Sequence, residues 1–243
     1  LVAERLVDVP SMGGFILRLV NSPCYGLVMP VESLPRAVAL AGFNEVSAVA
    51  LAAAVARGYR GTGSVHRDDP LHWRRSMSRG VYARRLAMAA GLPGEWFFTA
   101  GMLADIGALV AGRTVPDALD RSRQLVRRSK LASPEAETVV LGAPISEFSA
   151  RLLARWEAPK RLVEMVRHCE TPAITGYDPV VCVLHIAGIL ADVSCFGLPD
   201  TGPVGRLDPA AIHALGLRVA DLQVDRLEVV READALVRSF LAR

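Results

Sequence analysis

The stretch SLPRAVALAG, residues 33–42, shows the grammar that constrains the whole chain. A small polar residue comes first, a proline falls in the first turn, apolar residues follow at helical spacing, and a glycine stops the run. Asn44 caps EVSAVALAAAVARG in the same way. Asp69-Pro70 opens LHWRRSMSRGVYARRLAMAAG, which ends at Gly91, and Ser133-Pro134-Glu135 opens a helix that ends near Gly142. Periodicity predicts further helices at about 95–112, 117–130, 146–156, 160–169, 179–195, 208–215 and 219–242. The polar–apolar alternation of a half-buried strand is hard to find, so the expected fold class is all-α.

The polar stretch RGTGSVHRDD, 60–69, reads as a linker, and GLPDTGPVGRLD, 197–208, as a second loop. They divide the 243 residues into an N-terminal helical subdomain over 1–62, a larger helical bundle over 68–200 and C-terminal helices over 201–243 that pack on the bundle. Hydrophobic residues make up 51% of the chain and charged residues 22%, which excludes a disordered chain and supplies a sizeable core. The longest apolar region, residues 37–56, is broken by Gly42, Asn44 and Glu45, so two short buried helices fit it better than a membrane span. Cys24, Cys169, Cys182 and Cys195 form no C-x-x-C pair and read as reduced thiols of a cytoplasmic protein. The chain begins without Met, its first residues already read as helix, and a preceding segment is expected.

The chemistry-bearing residues are sparse. His66, His72, His168, His185 and His213 show no H-x-x-x-H spacing, so a metal site would need helices to bring them together. His168 and His185 are the pair that packed helices could join, and His72 lies one helical turn before Arg75 on the same face. There is no G-x-S-x-G elbow, and neither SMGGF nor RGTGS continues into a P-loop. Arg74, Arg75, Arg79, Arg84 and Arg85 crowd one helix, and RSRQLVRR follows at 121–128. A run of this kind reads as a solvated face. A net charge of only +3 argues against nucleic acid as the partner.

The order of motifs is more specific than any one of them. ILRLVNSPCYG is followed by VESLPRAVALAGFNEV, LHWRRSMSRGVYARRLA, GEWFFTAGMLADIGALV, LGAPISEFSARLLARWEAPKRLVEMVRHCE and DPVVCVLHIAGILAD. With its Asn-Ser helix end, Leu34 and Ala37, the G-x-L-x-D-I-G core and the W-x-x-P turn at Trp156–Pro159, this succession resembles the HD-related output domain (HDOD) family of bacterial signalling proteins over roughly residues 1–200. The resemblance implies an N-terminal helical part joined to a bundle related to the HD phosphohydrolases.

HD enzymes hold metal with a His, an adjacent His-Asp pair and a distant Asp, and an open metal position activates water. Carried over by resemblance, these positions fall on Arg75, Ala104, Asp105 and Gly188, so only Asp105 keeps a ligand type. The resemblance therefore implies a non-catalytic signalling module, neither an enzyme nor a holder of metal or cofactor, that acts on protein partners or passes on a conformational change. Trp96-Phe97-Phe98 would serve either an interface or the core. Two other readings stay open. One is a metal-dependent phosphohydrolase or cyclic-dinucleotide phosphodiesterase with Asp105, His72, His168 and His185 regrouped. The other is a pocket that senses a nucleotide or other phosphorylated small molecule through Arg75 and Arg74, without turnover. For Asp105 itself, either Arg75 replaces the metal's charge, or a helix N-terminus satisfies the acid while Arg75 points to solvent.

Overall fold

Helix α1 (Pro10–Val20) turns Phe15, Ile16, Leu19 and Val20 inward, the i, i+1, i+4, i+5 pattern of one buried face. The computed structural model describes residues 10–22, 25, 27–42, 46, 70–93, 96–129, 131–196, 207–222 and 226–241. Apart from Val46, the expected Asn44 helix and the 60–69 linker lie outside them. At the end of α1 the Asn21 amide grips Val31 from both sides: its Nδ2 donates to the Val31 carbonyl at 2.8 Å, and its Oδ1 accepts from the Val31 N–H at 2.7 Å. That clamp closes the turn into α2 (Leu34–Ala41), which starts at Ser33 with Pro35 in its first turn and stops at Gly42, φ +84°. Ser33 holds the cap position without a side-chain hydrogen bond.

The rest of the chain supplies α3 (Pro70–Ala89), α4 (Phe97–Leu103), α5 (Ile106–Thr114), α6 (Pro116–Arg128), α7 (Ser133–Leu141), α8 (Ile145–Arg155), α9 (Lys160–His168), α10 (Pro179–Phe196), α11 (Pro209–Ala214) and α12 (Arg226–Leu241). Short 3₁₀ turns stand at Pro172–Thr175 and Val219–Leu222. The described residues contain no strand, so the fold is all-α as expected. None of their helices is long and apolar enough to cross a membrane.

Two predicted helices are broken. The expected helix at 95–112 divides at Ala104–Asp105 into α4 and α5, with Asp105 at φ −105°, ψ 8°. The expected helix at 219–242 becomes a 3₁₀ turn followed by α12. Neither break carries a proline or glycine at the break itself, so periodicity alone runs straight through it.

Helix α3 is the central element, packed by α4 on one side and by α10 and α12 on others. Its contact with α4 is nearly backbone to backbone. A Cβ added at Gly101 would lie 2.8 Å from the Arg79 carbonyl oxygen and 2.8 Å from Gly80 Cα, and one at Gly80 would lie 2.7 Å from the Phe98 carbonyl oxygen. Gly107 does the same for α5 on α8, where an added Cβ would meet Ser149 N at 2.8 Å, and its own N–H donates to Ser149 Oγ. Gly101→Ala is therefore expected to cost about 1–3 kcal/mol, because main chain rather than a flexible side chain must give way. Chemical denaturation checks this, and an unchanged midpoint would mean that the helices separate freely.

Phe97 and Phe98 are buried, and Trp96 packs partly buried against the same core. These rings are core, not a free docking surface. Phe240 of α12 reaches between Phe15 (ring centroids 5.1 Å, edge-on) and Trp73 (4.7 Å), tying α12 to α1 and α3 together.

The arginines of α3 do not form a solvated basic face, contrary to the sequence expectation. Arg74 binds Asp234 through Nε (2.6 Å) and Nη2 (3.1 Å), and Arg85 binds Glu228 and Glu232, all three acids on α12. Arg84 lies over the Tyr25 ring, 3.5 Å from its centroid. The acids that pair with Arg74 and Arg85 come from more than 100 positions along the chain, out of reach of any local charge count.

Candidate arginine–carboxylate site

Asp105 sits where α4 gives way to α5, only 8% exposed. Burial alone would push its carboxyl up, yet the Arg75 and Arg79 guanidiniums outweigh burial and hold it below the ordinary carboxylate range. His72 is close enough to add to that effect.

Arg75 and Arg79, one turn apart on α3, share the acid between them. Arg75 Nη1 donates to Asp105 Oδ2, and its Nε donates to Asp192 on α10. Of the two arrangements open for Asp105, the structure has the one with Arg75 against the acid. Burial works against the Arg75 charge, but Asp105 and Asp192 keep the guanidinium protonated well beyond its usual range.

Arg79 reads in the sequence as one arginine of a basic run, yet it is the more deeply placed of the two. It is fully buried, donates from Nη1 to Asp105 Oδ1 at 3.3 Å, and donates from Nη2 to Glu170 Oε1 at 3.2 Å and to the Leu184 carbonyl at 3.3 Å. Its Nε finds no acceptor among the described residues. Gly188 makes room for it: an added Cβ would stand 2.9 Å from Arg79 Cζ and 3.0 Å from Nη2. A guanidinium thus fills the space that any side chain at 188 would need. Ala104 is fully buried among apolar residues and offers no polar atom.

His72 lies close enough to Asp105 to act on its charge, while His168 and His185 bond elsewhere and His66 lies outside the described residues. His168 pairs with Glu164 on the surface of α9, Nε2 to Oε2 3.2 Å. His185 sets Nδ1 3.1 Å from the Cys169 carbonyl, with Nε2 buried and without a partner among the described residues. His72 packs edge-on against Trp73. Among the described residues no group of three His, Cys, Asp or Glu side chains is arranged to hold a metal ion. The described cysteines are free, and burial holds the Cys169 and Cys182 thiols above their ordinary range, so neither is poised as a nucleophile.

The acids around the two arginines are Asp105, Asp192, Glu170 and, further out, Glu137. Sequence reasoning missed the last three. Asp192 had one available signal, because it stands one turn beyond Gly188 on the same face of α10.

A family model described as HDOD domain matches residues 2–172. Solved structures of similar fold include an HDOD domain protein of unknown function from Geobacter sulfurreducens, with 18% identity, TM-score 0.70, and 100% of this chain and 86% of that one covered. A candidate phosphohydrolase from Shewanella amazonensis SB2B has 21% identity and TM-score 0.68, with 98% and 86% covered. A candidate signal transduction protein from Marinobacter aquaeolei VT8 has 21% identity and TM-score 0.67, with 98% of this chain and 54% of that one covered. No curated protein matches the sequence.

Proposed function

Because the chain belongs to the HDOD family, we propose that it is a non-catalytic signal-transduction module, working through protein partners or conformational output, in which two arginines stand where the HD enzymes hold metal. The observation that carries this reading is the pair of guanidiniums on Asp105. An arginine stays protonated at any working pH, so its charge cannot be titrated away to admit a cation. A divalent ion on Asp105, about 4 Å from each guanidinium, would meet a repulsion of roughly 8 kcal/mol from each at an effective dielectric near 20. The carboxylate that would bind it is already neutralised.

The altered phosphohydrolase reading would have to break these ion pairs and recruit histidines that now serve elsewhere. The nucleotide-sensing reading relies on Arg75 and Arg74, and both are engaged, by Asp105 and Asp192 and by Asp234 respectively. No feature of the site favours either over the signalling module.

Elemental analysis of the purified protein, run with a generic phosphodiesterase assay, tests the proposal. The expected result is substoichiometric transition metal and no turnover above a heat-denatured control. Stoichiometric Mn, Fe or Ni, with turnover that Asp105→Ala abolishes, would overturn it.

A further inference from the structure

Helices α6 and α7 form a hairpin that packs mainly on itself and meets the body chiefly through α5. Its apolar seam is separate from the main core. Ala111, Leu119 and Ile145 form a small cluster of their own, backed by Ala108, Leu141 and Phe148. One polar side chain reaches from the hairpin into the body: Glu137 Oε2 accepts from the Ile145 N–H at 2.8 Å, at the first turn of α8. Once there, Glu137 feels Glu170 after α9, Arg75 on α3 and Asp105 between α4 and α5.

We propose that the α6–α7 hairpin is a hinged flap on the flank of the arginine–carboxylate centre, held shut by Glu137 against α8 and loosened when that side chain carries charge. The inference is independent of the function proposed above, since it concerns the hairpin whether or not the centre binds anything.

Three features support it. The hairpin's seam is small, so little apolar area resists its opening. Its tether at Glu137 is an acid inserted among other acids. Burial first, and then Glu170 and Asp105, raise the Glu137 carboxyl to about 7, while the Ile145 N–H and Arg75 pull the other way. In the open flap the side chain returns to water and to its ordinary value of 4.5. The sign follows by linkage. The closed form binds the proton more tightly, so closure is fully favoured below about pH 4.5, weakens as pH rises to about 7, and levels off above. The closed-to-open ratio falls by up to about a hundredfold across that window.

Amide hydrogen exchange of the intact protein, followed by mass spectrometry from pH 5 to 8 and corrected for intrinsic exchange rates, tests the flap. Protection in 117–128 and 134–141 should fall by up to about a hundredfold as pH rises, while α3 and α10 hold theirs. Glu137→Gln, which keeps an acceptor for Ile145 and carries no charge, should stay protected at pH 8. Glu170→Gln removes one like charge and should shrink the fall. Constant hairpin protection in the unmodified protein sinks the idea. So does loss shared equally by α3 and α10, or an undiminished fall in either variant that folds.

Discussion

Arg79→Leu is expected to lower the unfolding free energy by about 3–5 kcal/mol, the cost of breaking a buried ion pair from one side. For a chain of this size each kcal/mol moves the melting temperature by roughly 2–4 °C, so a drop near 10 °C is expected. The substitution keeps an apolar stem but empties the guanidinium's place beside Gly188, and it strips Asp105 Oδ1, Glu170 and the Leu184 carbonyl of one donor group. A companion variant separates charge from packing. Arg79→Leu with Asp105→Asn and Glu170→Gln removes the orphaned anions and should recover part of the loss, because an unpaired buried charge costs more than a missing pair. Thermal unfolding of the two variants checks this. Equal melting temperatures would mean that the network's charges do not stabilise the bundle.

Phe240→Ala should cost about 3–5 kcal/mol, comparable to the loss at Arg79. The ring is 5% exposed and fills the space between Phe15 and Trp73, so its removal leaves a cavity bounded by three helices. The family match ends at residue 172, yet Phe240, Asp234, Glu228 and Glu232 bind the first and third helices. A protein cut after residue 172 should therefore expose α3's apolar face and fail to unfold cooperatively. A sharp, reversible melting transition in that truncated protein would show that the helices after residue 172, α10 and α12 among them, are dispensable to the fold. Circular dichroism reads both outcomes.

How much of this the chain announces in advance depends on the range of the interaction concerned. Helices whose ends carry local signals, such as Pro35 with Gly42 or Glu135 with Gly142, are legible because their starts and stops lie within a few residues. Glu135 does close its helix start, accepting from the Ala132 N–H at 2.9 Å. The break at Ala104–Asp105 is harder to read: Asp105 stands at the start of α5 without a side-chain cap bond, its carboxylate turned instead to Arg75 and Arg79 of α3. In the site, the resemblance aligns Arg75 and Asp105 with ligand positions and leaves their pairing open. Arg79 was overlooked because a buried arginine looks like any other in a basic run. Glu170 meets Arg79, and Asp192 meets Arg75, only when chain 91 and 117 positions away folds back, and no periodicity records that.

The glycine contact between α3 and α4 has a mechanical corollary. With Gly80 and Gly101 meeting at backbone distance, α3 can neither slide nor roll on α4 without main chain striking main chain. The same rod carries Arg74 and Arg85, hooked to α12, and Arg75 and Arg79, hooked toward α10. Displacement at any one hook strains the others. Main-chain contact on one side and ion pairs on the others thus tie α3, α4, α10 and α12 into one frame.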